Sequence, residues 1–324
     1  MTLAIILRSH GGPDQLKLEQ VDLPNPGPGE LRIRQSAIGV NFHDVYVRSG
    51  LYRTLALPGI PGIEASGIVE KTGSGVRDFR PGDRICYVTG SYGAYAAHRN
   101  LPENLALKLP DTIDDEIAAA TILKGLTACM LLRREYAVGP GDHILVHAAA
   151  GGVGQLLCRW ADHLGAVVIG TVGDPRKEAV ARAAGAAHVF SSSDQELVGK
   201  VMDITKGEGV AVAYDSVGRD SFQSSLSALS YFGKLVNFGQ SSGPVPPFEV
   251  SQLAARSNSL SRPIIFHHLR NPSALREMAA EVFALIGEGI LKADIGLRLP
   301  LAEAAEAHAR LEGRRTVGST ILLP

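Results

Sequence analysis

The segment LVHAAAGGVGQLLCRWADHLGAVVIGTVGDPRK, residues 145–177, decides the fold. It runs from an apolar stretch typical of a buried strand, through a glycine-rich turn and a helical pattern, to a second apolar stretch. Positions 149–154, AAGGVG, match the pattern G-x-G-x-x-G with alanine in first place. Small residues there let the backbone approach a pyrophosphate at the start of a helix, so the segment predicts a dinucleotide-binding βαβ unit. A glycine-rich turn without a ligand is the alternative.

Strand and helix patterns go on alternating through the second half of the chain. Short apolar runs predict buried parallel strands at residues 144–147, 167–172, 210–214 and 234–238. Helical spacing predicts helices at residues 155–164, 177–184, 194–204 and 221–228. This alternation is typical of an α/β fold with a doubly wound parallel sheet of the Rossmann type.

The first part of the chain has a different pattern. Alternating polar and apolar residues, interrupted by prolines, predict short strands at residues 31–40, 63–70 and 84–88. They indicate a small and mostly antiparallel β-barrel or sandwich. Helical spacing over residues 114–136, with acidic residues near its start, marks the change to the α/β part.

The end of the chain is predicted to return to the barrel. Two amphipathic helices, residues 274–288 and 301–312, are followed by a last strand in residues 316–324. We therefore predict a barrel domain built from residues 1–123 and 258–324. The nucleotide-binding domain, residues 124–257, interrupts it.

Composition argues against several classes of protein. The 324 residues are 45% hydrophobic and 20% charged, as in a globular chain with a sizeable core. The formal net charge of −1 favours neither nucleic acid nor an anionic membrane as a partner. No apolar run suits a signal peptide or a membrane span, and the three cysteines are scattered. We expect a cytoplasmic protein with reduced thiols.

The second strand of the βαβ unit bears on which dinucleotide binds. NAD sites commonly carry an acid at the end of this strand, whereas the 2′-phosphate of NADP needs positive charge. Residues 167–172 contain no acid, and Arg176 and Lys177 follow shortly after Gly173. This pattern favours NADP. NAD, with Asp174 as the ribose ligand, is the alternative, since Asp174 lies about twenty residues past the glycines.

Stretches along the whole chain resemble one known family. They are NFHDVYVRSGLY (41–52), PGIPGIEASGIVEKTGSGV (58–76), PGDRI (81–85), LKGLTA (123–128), HAAAGGVGQ (147–155), YDSVGRDSF (214–222), NFGQSSG (237–243) and RTVGSTILLP (315–324). The chain resembles the zinc-free quinone oxidoreductases of the medium-chain dehydrogenase/reductase superfamily. The resemblance implies a GroES-like β-barrel catalytic domain, a Rossmann domain, NADPH as cofactor, a quinone as substrate and a homodimer.

The resemblance also bears on metal binding. Zinc-dependent members of the superfamily carry a cysteine ligand at the position of Asn41 and a histidine at the position of Ile63. Asparagine and isoleucine are poor zinc ligands, and the loss of two ligands leaves no three-ligand catalytic site. We therefore expect no bound metal.

The candidate site residues come from the resemblance and from the predicted loops. Asn41, Tyr46 and Tyr52 are the candidate catalytic residues. Asn41 would orient the nicotinamide ribose or the substrate oxygen, and Tyr52 is the candidate proton donor. Structural packing of both tyrosine rings is the alternative. The candidate cofactor-binding residues are Asn41, Lys124, Thr127, Ala150, Gly151, Gly152, Val153, Gly173, Arg176, Lys177, Ser192, Val217, Phe238, Gly239, Ser241, Arg262 and Arg314.

One departure from the family pattern concerns the cofactor. Ser192 stands where family members often carry a tyrosine near the 2′-phosphate, and a serine hydroxyl can donate a hydrogen bond but cannot stack. Besides quinone reduction, two functions stay open. One is the reduction of an enal or enoyl C=C bond, and the other is NADPH binding without catalysis.

Overall fold

A computed structural model describes the whole chain, residues 1–324. The strands are β1 (Thr2–Leu7), β2 (Leu16–Val21), β3 (Glu30–Val40), β4 (Glu64–Thr72), β5 (Arg84–Val88), β6 (His98–Pro102), β7 (Ala106–Lys108), β8 (His143–Val146), β9 (Val167–Val172), β10 (His188–Ser191), β11 (Val210–Asp215), β12 (Leu229–Asn237), β13 (Ser259–Ser261), β14 (Ile295–Pro300) and β15 (Ser319–Leu323). The helices are α1 (Phe42–Ser49), α2 (Asp115–Cys129), α3 (Gly152–His163), α4 (Glu178–Ala183), α5 (Leu197–Ile204), α6 (Phe222–Ser227), α7 (Ile265–His268), α8 (Pro272–Gly287) and α9 (Ala304–Glu312).

The chain divides into two compact units. The first unit contains residues 1–124, 269–287 and 293–324, and the second contains residues 125–268 and 288–292. The predicted division differs from this at Lys124, which the sequence assigned to the nucleotide-binding domain, and at residues 288–292, which it assigned to the barrel domain. It also differs at residues 258–268, which the sequence assigned to the barrel domain. They belong to the second unit because β13 lies among them and pairs in parallel with β12.

A mixed sheet forms the centre of the first unit. Its strand order is β14-β15-β3-β4-β5-β7, and β6 also pairs with β3. Every pairing is antiparallel except that of β14 with β15. Leu31 and Ile33 of β3 alternate with more exposed neighbours and enter a core that also includes Ala304 and Ala307 of α9. The last strand therefore returns to the sheet of the first part of the chain.

A six-stranded parallel sheet forms the centre of the second unit. Its strand order is β10-β9-β8-β11-β12-β13. The chain winds outward from β8 to one edge and then, from β11, to the other edge, so the order reverses between these two neighbours. Ligands of such sheets bind outside the carboxyl ends of the strands at this reversal. The predicted α/β fold class is confirmed.

Several element boundaries differ from the predicted ones. The helix predicted over residues 114–136 is α2 followed by a π-helical turn, Met130–Glu135. Strand β12 begins at Leu229, five residues before the predicted start. Its pairing with β11 skips residues 230–233, so this stretch bulges out of the sheet. Phe232 in the bulge is 79% exposed although it is apolar. The sequence of this stretch therefore lacks the pattern of apolar residues that marks a buried strand.

Two further structural findings concern the sequence expectations. None of the helices combines the length and the apolar character that crossing a membrane requires. All three cysteines, Cys86, Cys129 and Cys158, are free thiols in buried positions.

Candidate active site

The glycine-rich segment joins β8 to α3 at the reversal of strand order. Gly151 is the N-cap of α3, with extended backbone angles (φ −78°, ψ 171°), and the helix begins at Gly152. A Cβ atom on Gly154 would overlap the backbone of Ala148 and Ala149, so only glycine lets the helix pack this close to the preceding strand. The unpaired N–H groups of the first helical turn and the helix dipole make this end an anion-binding site. Ala150 and Val153 flank it.

A buried histidine fixes the start of this segment. His147 directly follows β8, and its Nδ1 and Nε2 lie 2.9 Å from the hydroxyls of Thr171 and Ser225 respectively. The Ser225 hydroxyl also lies 2.9 Å from the carbonyl oxygen of Ser221, which can only accept its proton. Burial lowers the pKa of His147, so the ring is neutral and donates from Nε2 to Ser225. The ring thus joins β8 to the end of β9 and to α6.

Asp215 extends this network to the loop after β11. One carboxylate oxygen accepts hydrogen bonds from the backbone N–H groups of Val217 (2.8 Å) and Gly218 (3.0 Å) and from the Ser221 hydroxyl (2.7 Å). Ser225 lies 3.3 Å from the other oxygen. Sequence analysis missed His147 and Asp215. The only available signal was a polar residue at the end of an apolar strand.

Most of the candidate cofactor-binding residues lie at the carboxyl edge of the parallel sheet. Arg262, after β13, donates to the carbonyl oxygen of Asn237 at 2.8 Å. The backbone N–H groups of Phe238 and Gly239 both donate to the carbonyl oxygen of Asp215. The candidates that directly follow or lie close after the strands of this sheet are Ala150, Gly151, Gly152, Val153, Gly173, Arg176, Lys177, Ser192, Val217, Phe238, Gly239, Ser241 and Arg262.

The charged residues after β9 pair with one another. Both carboxylate oxygens of Asp174 accept from the Arg176 guanidinium at 2.6–3.0 Å, and one also accepts its backbone N–H at 2.9 Å. The hydrogen bonds from Arg176 lower the pKa of Asp174 to about 2. Asp174 is therefore ionised, and its charge offsets that of Arg176. Lys177 follows as a second cation.

A buried ion pair organises the candidate residues of the first unit. Asn41 caps α1, and its side-chain N–H donates to Oε1 of Glu64 at 2.7 Å. The ammonium of Lys124 donates to the same oxygen at 3.0 Å, and the backbone N–H of Leu123 donates to Oε2 at 2.8 Å. Glu64 is fully buried. The structure thus brings Asn41 and Lys124 together on one carboxylate, although the sequence indicated cofactor contacts for both.

Aromatic side chains cluster beside Asn41 on and after α1. The rings of Tyr46 and Tyr52 lie 5.0 Å apart, and the ring of His43 lies 5.6 Å from Tyr52 and 5.9 Å from Tyr92. The Tyr92 hydroxyl is hydrogen-bonded to His43 at 3.2 Å and to Thr54. Burial lowers the pKa of His43 to about 4, so the ring is neutral at physiological pH. Sequence analysis missed His43 and Tyr92.

Two candidates lie elsewhere in the chain. Arg314 is an exposed residue of the first unit in the turn after α9, with a left-handed backbone (φ 57°). Thr127 lies on the part of α2 that belongs to the second unit.

Comparison with known proteins identifies the family. Residues 27–111 match the alcohol dehydrogenase GroES-like domain, and residues 152–283 match the zinc-binding dehydrogenase family. The quinone oxidoreductase of Pseudomonas aeruginosa is 44% identical over 325 residues, which span 100% of both chains. The chain belongs to the quinone oxidoreductases of the medium-chain dehydrogenase/reductase superfamily. The predicted family is thereby confirmed.

Two further relatives extend the comparison. The structure of the Escherichia coli quinone oxidoreductase in complex with NADPH superposes with a TM-score of 0.97, at 42% identity, and covers 99% of this chain and 100% of that chain. The 2-haloacrylate reductase of a Burkholderia species is 40% identical over 331 residues, which span 100% of this chain and 99% of its own.

At the two positions where the resemblance implies that zinc ligands are missing, the structure gives the side chains other surroundings. Asn41 is hydrogen-bonded to Glu64, and Ile63 is part of the buried apolar core. No group of three or more histidine, cysteine, aspartate or glutamate side chains is arranged to hold a metal ion.

Proposed function

We propose that this chain reduces quinones with NADPH by direct hydride transfer. The observation that carries the proposal is the AAGGVG segment at the reversal of strand order, in a chain that is 44% identical to a quinone oxidoreductase over its whole length. A quinone accepts a hydride readily, so the protein needs only to orient the two reactants and exclude water. The amide at Asn41 and the isoleucine at Ile63 are consistent with a reaction that uses no zinc.

The residues at the carboxyl edge of the parallel sheet fit NADPH. When bound, NADPH supplies the hydride. The first turn of α3 binds the pyrophosphate, and Lys177 attracts the 2′-phosphate. The guanidinium of Arg176, whose charge Asp174 offsets, adds hydrogen-bond donors. At Gly173 an added Cβ atom would meet only the Ser192 hydroxyl, at 3.7 Å, which leaves room for a ligand. Asn41, held by Glu64 through one amide proton, orients the nicotinamide ribose or the quinone oxygen with the rest of its amide.

Steady-state turnover of a panel of quinones with NADPH and with NADH tests the proposal. We expect a marked preference for NADPH. Lys177→Ala removes a charge-assisted hydrogen bond worth about 1.5–3 kcal/mol, so KM for NADPH should rise by about 10- to 150-fold while KM for NADH changes little. Lys71→Ala, at an exposed position of β4, is the matched control.

Two results would contradict the proposal. Equal use of both cofactors by the unaltered protein would show that Arg176 and Lys177 do not select NADPH. NADPH binding without turnover of any quinone would favour the non-catalytic alternative.

The reduction of an activated C=C bond is the second candidate function. The 40% identity to a 2-haloacrylate reductase favours it. Such a reaction needs a proton at the carbon next to the one that receives the hydride, and Tyr52 is the candidate donor. A parallel assay with an enal and a quinone separates the two functions.

We also propose that the enzyme is a cytoplasmic homodimer, as the family resemblance implies. Strand β13 ends the parallel sheet, and an open sheet edge is a common place for strands of two subunits to pair. Light scattering after size-exclusion chromatography tests the dimer, and cell fractionation tests the location.

A further inference from the structure

We infer that Asp44 is a positioning residue for Asn41 and that the Tyr95 hydroxyl, which His308 contacts on its other side, sets the pH range in which Asp44 acts. The inference rests on the proposed function, in which Asn41 contacts the cofactor or the quinone. All four residues belong to the first unit.

A buried chain of hydrogen bonds ends at the backbone of Asn41. Asp44 is the third residue of α1, and its Oδ2 accepts the Asn41 backbone N–H at 2.9 Å and the Tyr95 hydroxyl at 3.1 Å. The same hydroxyl lies 3.0 Å from Nε2 of His308 on α9. All three side chains are completely buried. The chain therefore connects α9, through Tyr95, to the start of α1.

Two carboxyl groups accept hydrogen bonds from Asn41, and only one of them is paired with a cation. Glu64 holds its side chain and is neutralised by the ammonium of Lys124 at 3.0 Å. Asp44 holds its backbone and has no cation within ion-pair distance, and its Oδ1 has no hydrogen-bond partner. A buried carboxylate without a cation is poorly stabilised as an anion, so this environment favours the protonated form of Asp44.

The surroundings of Asp44 agree with this assignment. Burial raises the pKa of Asp44 to about 7, and the charge of Glu64 adds to the shift. The hydrogen bonds from Asn41 and Tyr95 and the charge of Lys124 act in the opposite direction. These bonds favour the ionised form, so the loss of either one raises the pKa further.

The other two members of the chain stay neutral around physiological pH. Burial raises the pKa of Tyr95 well above its usual value, and the charge of Asp44 adds to it. Burial lowers the pKa of His308 to about 3, and the charge of Arg48, which is paired with Glu312, contributes. A pH change near neutrality therefore alters the charge of Asp44 alone within this chain.

Protonation of Asp44 weakens its hold on Asn41. An ionised carboxylate accepts hydrogen bonds from N–H groups about twice as strongly as a neutral acceptor does. Below the pKa of Asp44 the start of α1 is held less firmly, so turnover should fall on the acid side of neutrality. Above that pKa the hold is complete.

Nuclear magnetic resonance of protein labelled with ¹⁵N-asparagine tests the hydrogen bond between Asp44 and the Asn41 backbone directly. The test does not depend on which substrate the enzyme reduces. The chain has seven asparagines, so the spectrum is simple, and Asn41→Ser assigns the Asn41 resonance. We expect the Asn41 backbone N–H signal to shift with a midpoint near neutrality. Asp44→Asn should abolish this titration. Tyr95→Phe should move the midpoint to higher pH, whereas Tyr87→Phe, which removes another buried barrel hydroxyl, should not.

The pH profile of quinone turnover supplies the functional readout. Its acid limb should follow the same midpoint, shift to higher pH in Tyr95→Phe and disappear in Asp44→Asn. An Asn41 signal that does not titrate, or titrates unchanged in Asp44→Asn, overturns the inference. So does an acid limb of turnover that Asp44→Asn leaves in place. If no quinone is turned over but the signal titrates as expected, the proposed function fails and the link between Asp44 and Asn41 stands.

Discussion

The buried pair of Lys124 and Glu64 gives the sharpest test of how the first unit is stabilised. Lys124→Met leaves the Glu64 carboxylate fully buried, with N–H donors from Asn41 and Leu123 but no cation. The removal of one partner from a buried ion pair costs about 3–5 kcal/mol, so the free energy of unfolding should fall by this amount. Glu64→Gln should cost a similar amount, because it leaves the ammonium of Lys124 buried without an anion.

The double variant Lys124→Met/Glu64→Gln should be more stable than either single variant. It buries no charge, and the new amide oxygen accepts from one of the two donors, Asn41 or Leu123, while the amide nitrogen faces the other. Urea unfolding followed by circular dichroism at neutral pH measures all four proteins. Arg182→Met is the control, since its pair with Glu178 is about half exposed and contributes about 0.5 kcal/mol. Losses that simply add in the double variant would refute the reasoning, because independent sites add and a coupled pair does not.

Three further predictions concern chemistry, cofactor binding and acid stability. Tyr52→Phe should greatly slow the reduction of an enal and barely change that of a quinone, because only the first reaction needs a proton at carbon. Parallel NADPH-oxidation assays measure both rates. Equal losses of the two activities would argue against Tyr52 as a proton donor. Gly154→Ala places a methyl group against the backbone of Ala148. Overpacking of this kind costs about 1–3 kcal/mol, so calorimetry should show NADPH binding weakened at least about fivefold. Unchanged affinity would mean that α3 can shift freely. The pKa of His308 is about 3 in the folded protein, against the ordinary 6.5. Between these two values the unfolded chain binds a proton at His308 and the folded protein does not. The folded state is therefore fully stable above pH 6.5 and loses stability as the pH falls towards 3. At about pH 5 the free energy of unfolding should have fallen by about 2 kcal/mol through this residue, and urea unfolding of His308→Gln should not show this decrease. If the unaltered protein and His308→Gln lose equal stability in acid, the ring is not a buried neutral one.

The elements with strong local patterns were predictable from the sequence. Patterns among neighbouring residues predict the AAGGVG segment, the apolar parallel strands and the strand of residues 84–88. The structure has these elements within a few positions of the predicted bounds. Strand β12 was predicted too short because residues 230–233 bulge outward and interrupt its pattern. The short strand β13 gave no signal of its own, since only pairing with β12 defines it. The second boundary between the units was therefore placed too early.

The polar networks were not predictable, because they join residues that are far apart in the chain. Tyr95 lies 51 positions from Asp44 and 213 from His308, yet one hydroxyl contacts both. Glu64 and Lys124 are likewise 60 positions apart. A sequence pattern indicates that a polar residue stands at the start of a helix or the end of a strand. It does not indicate which distant partner satisfies it.

The placement of the three cysteines has a consequence for an enzyme that handles quinones. Quinones are electrophiles, and thiolates are the protein nucleophiles that add to them most readily. Cys86, Cys129 and Cys158 are at most 2% exposed, and burial raises the pKa of Cys86 and raises that of Cys158 to about 12. All three thiols are out of reach, Cys86 and Cys158 also stay protonated, and only the thiolate form attacks. The folded enzyme should therefore escape alkylation by its own substrate, and covalent self-inactivation should begin only when the chain unfolds.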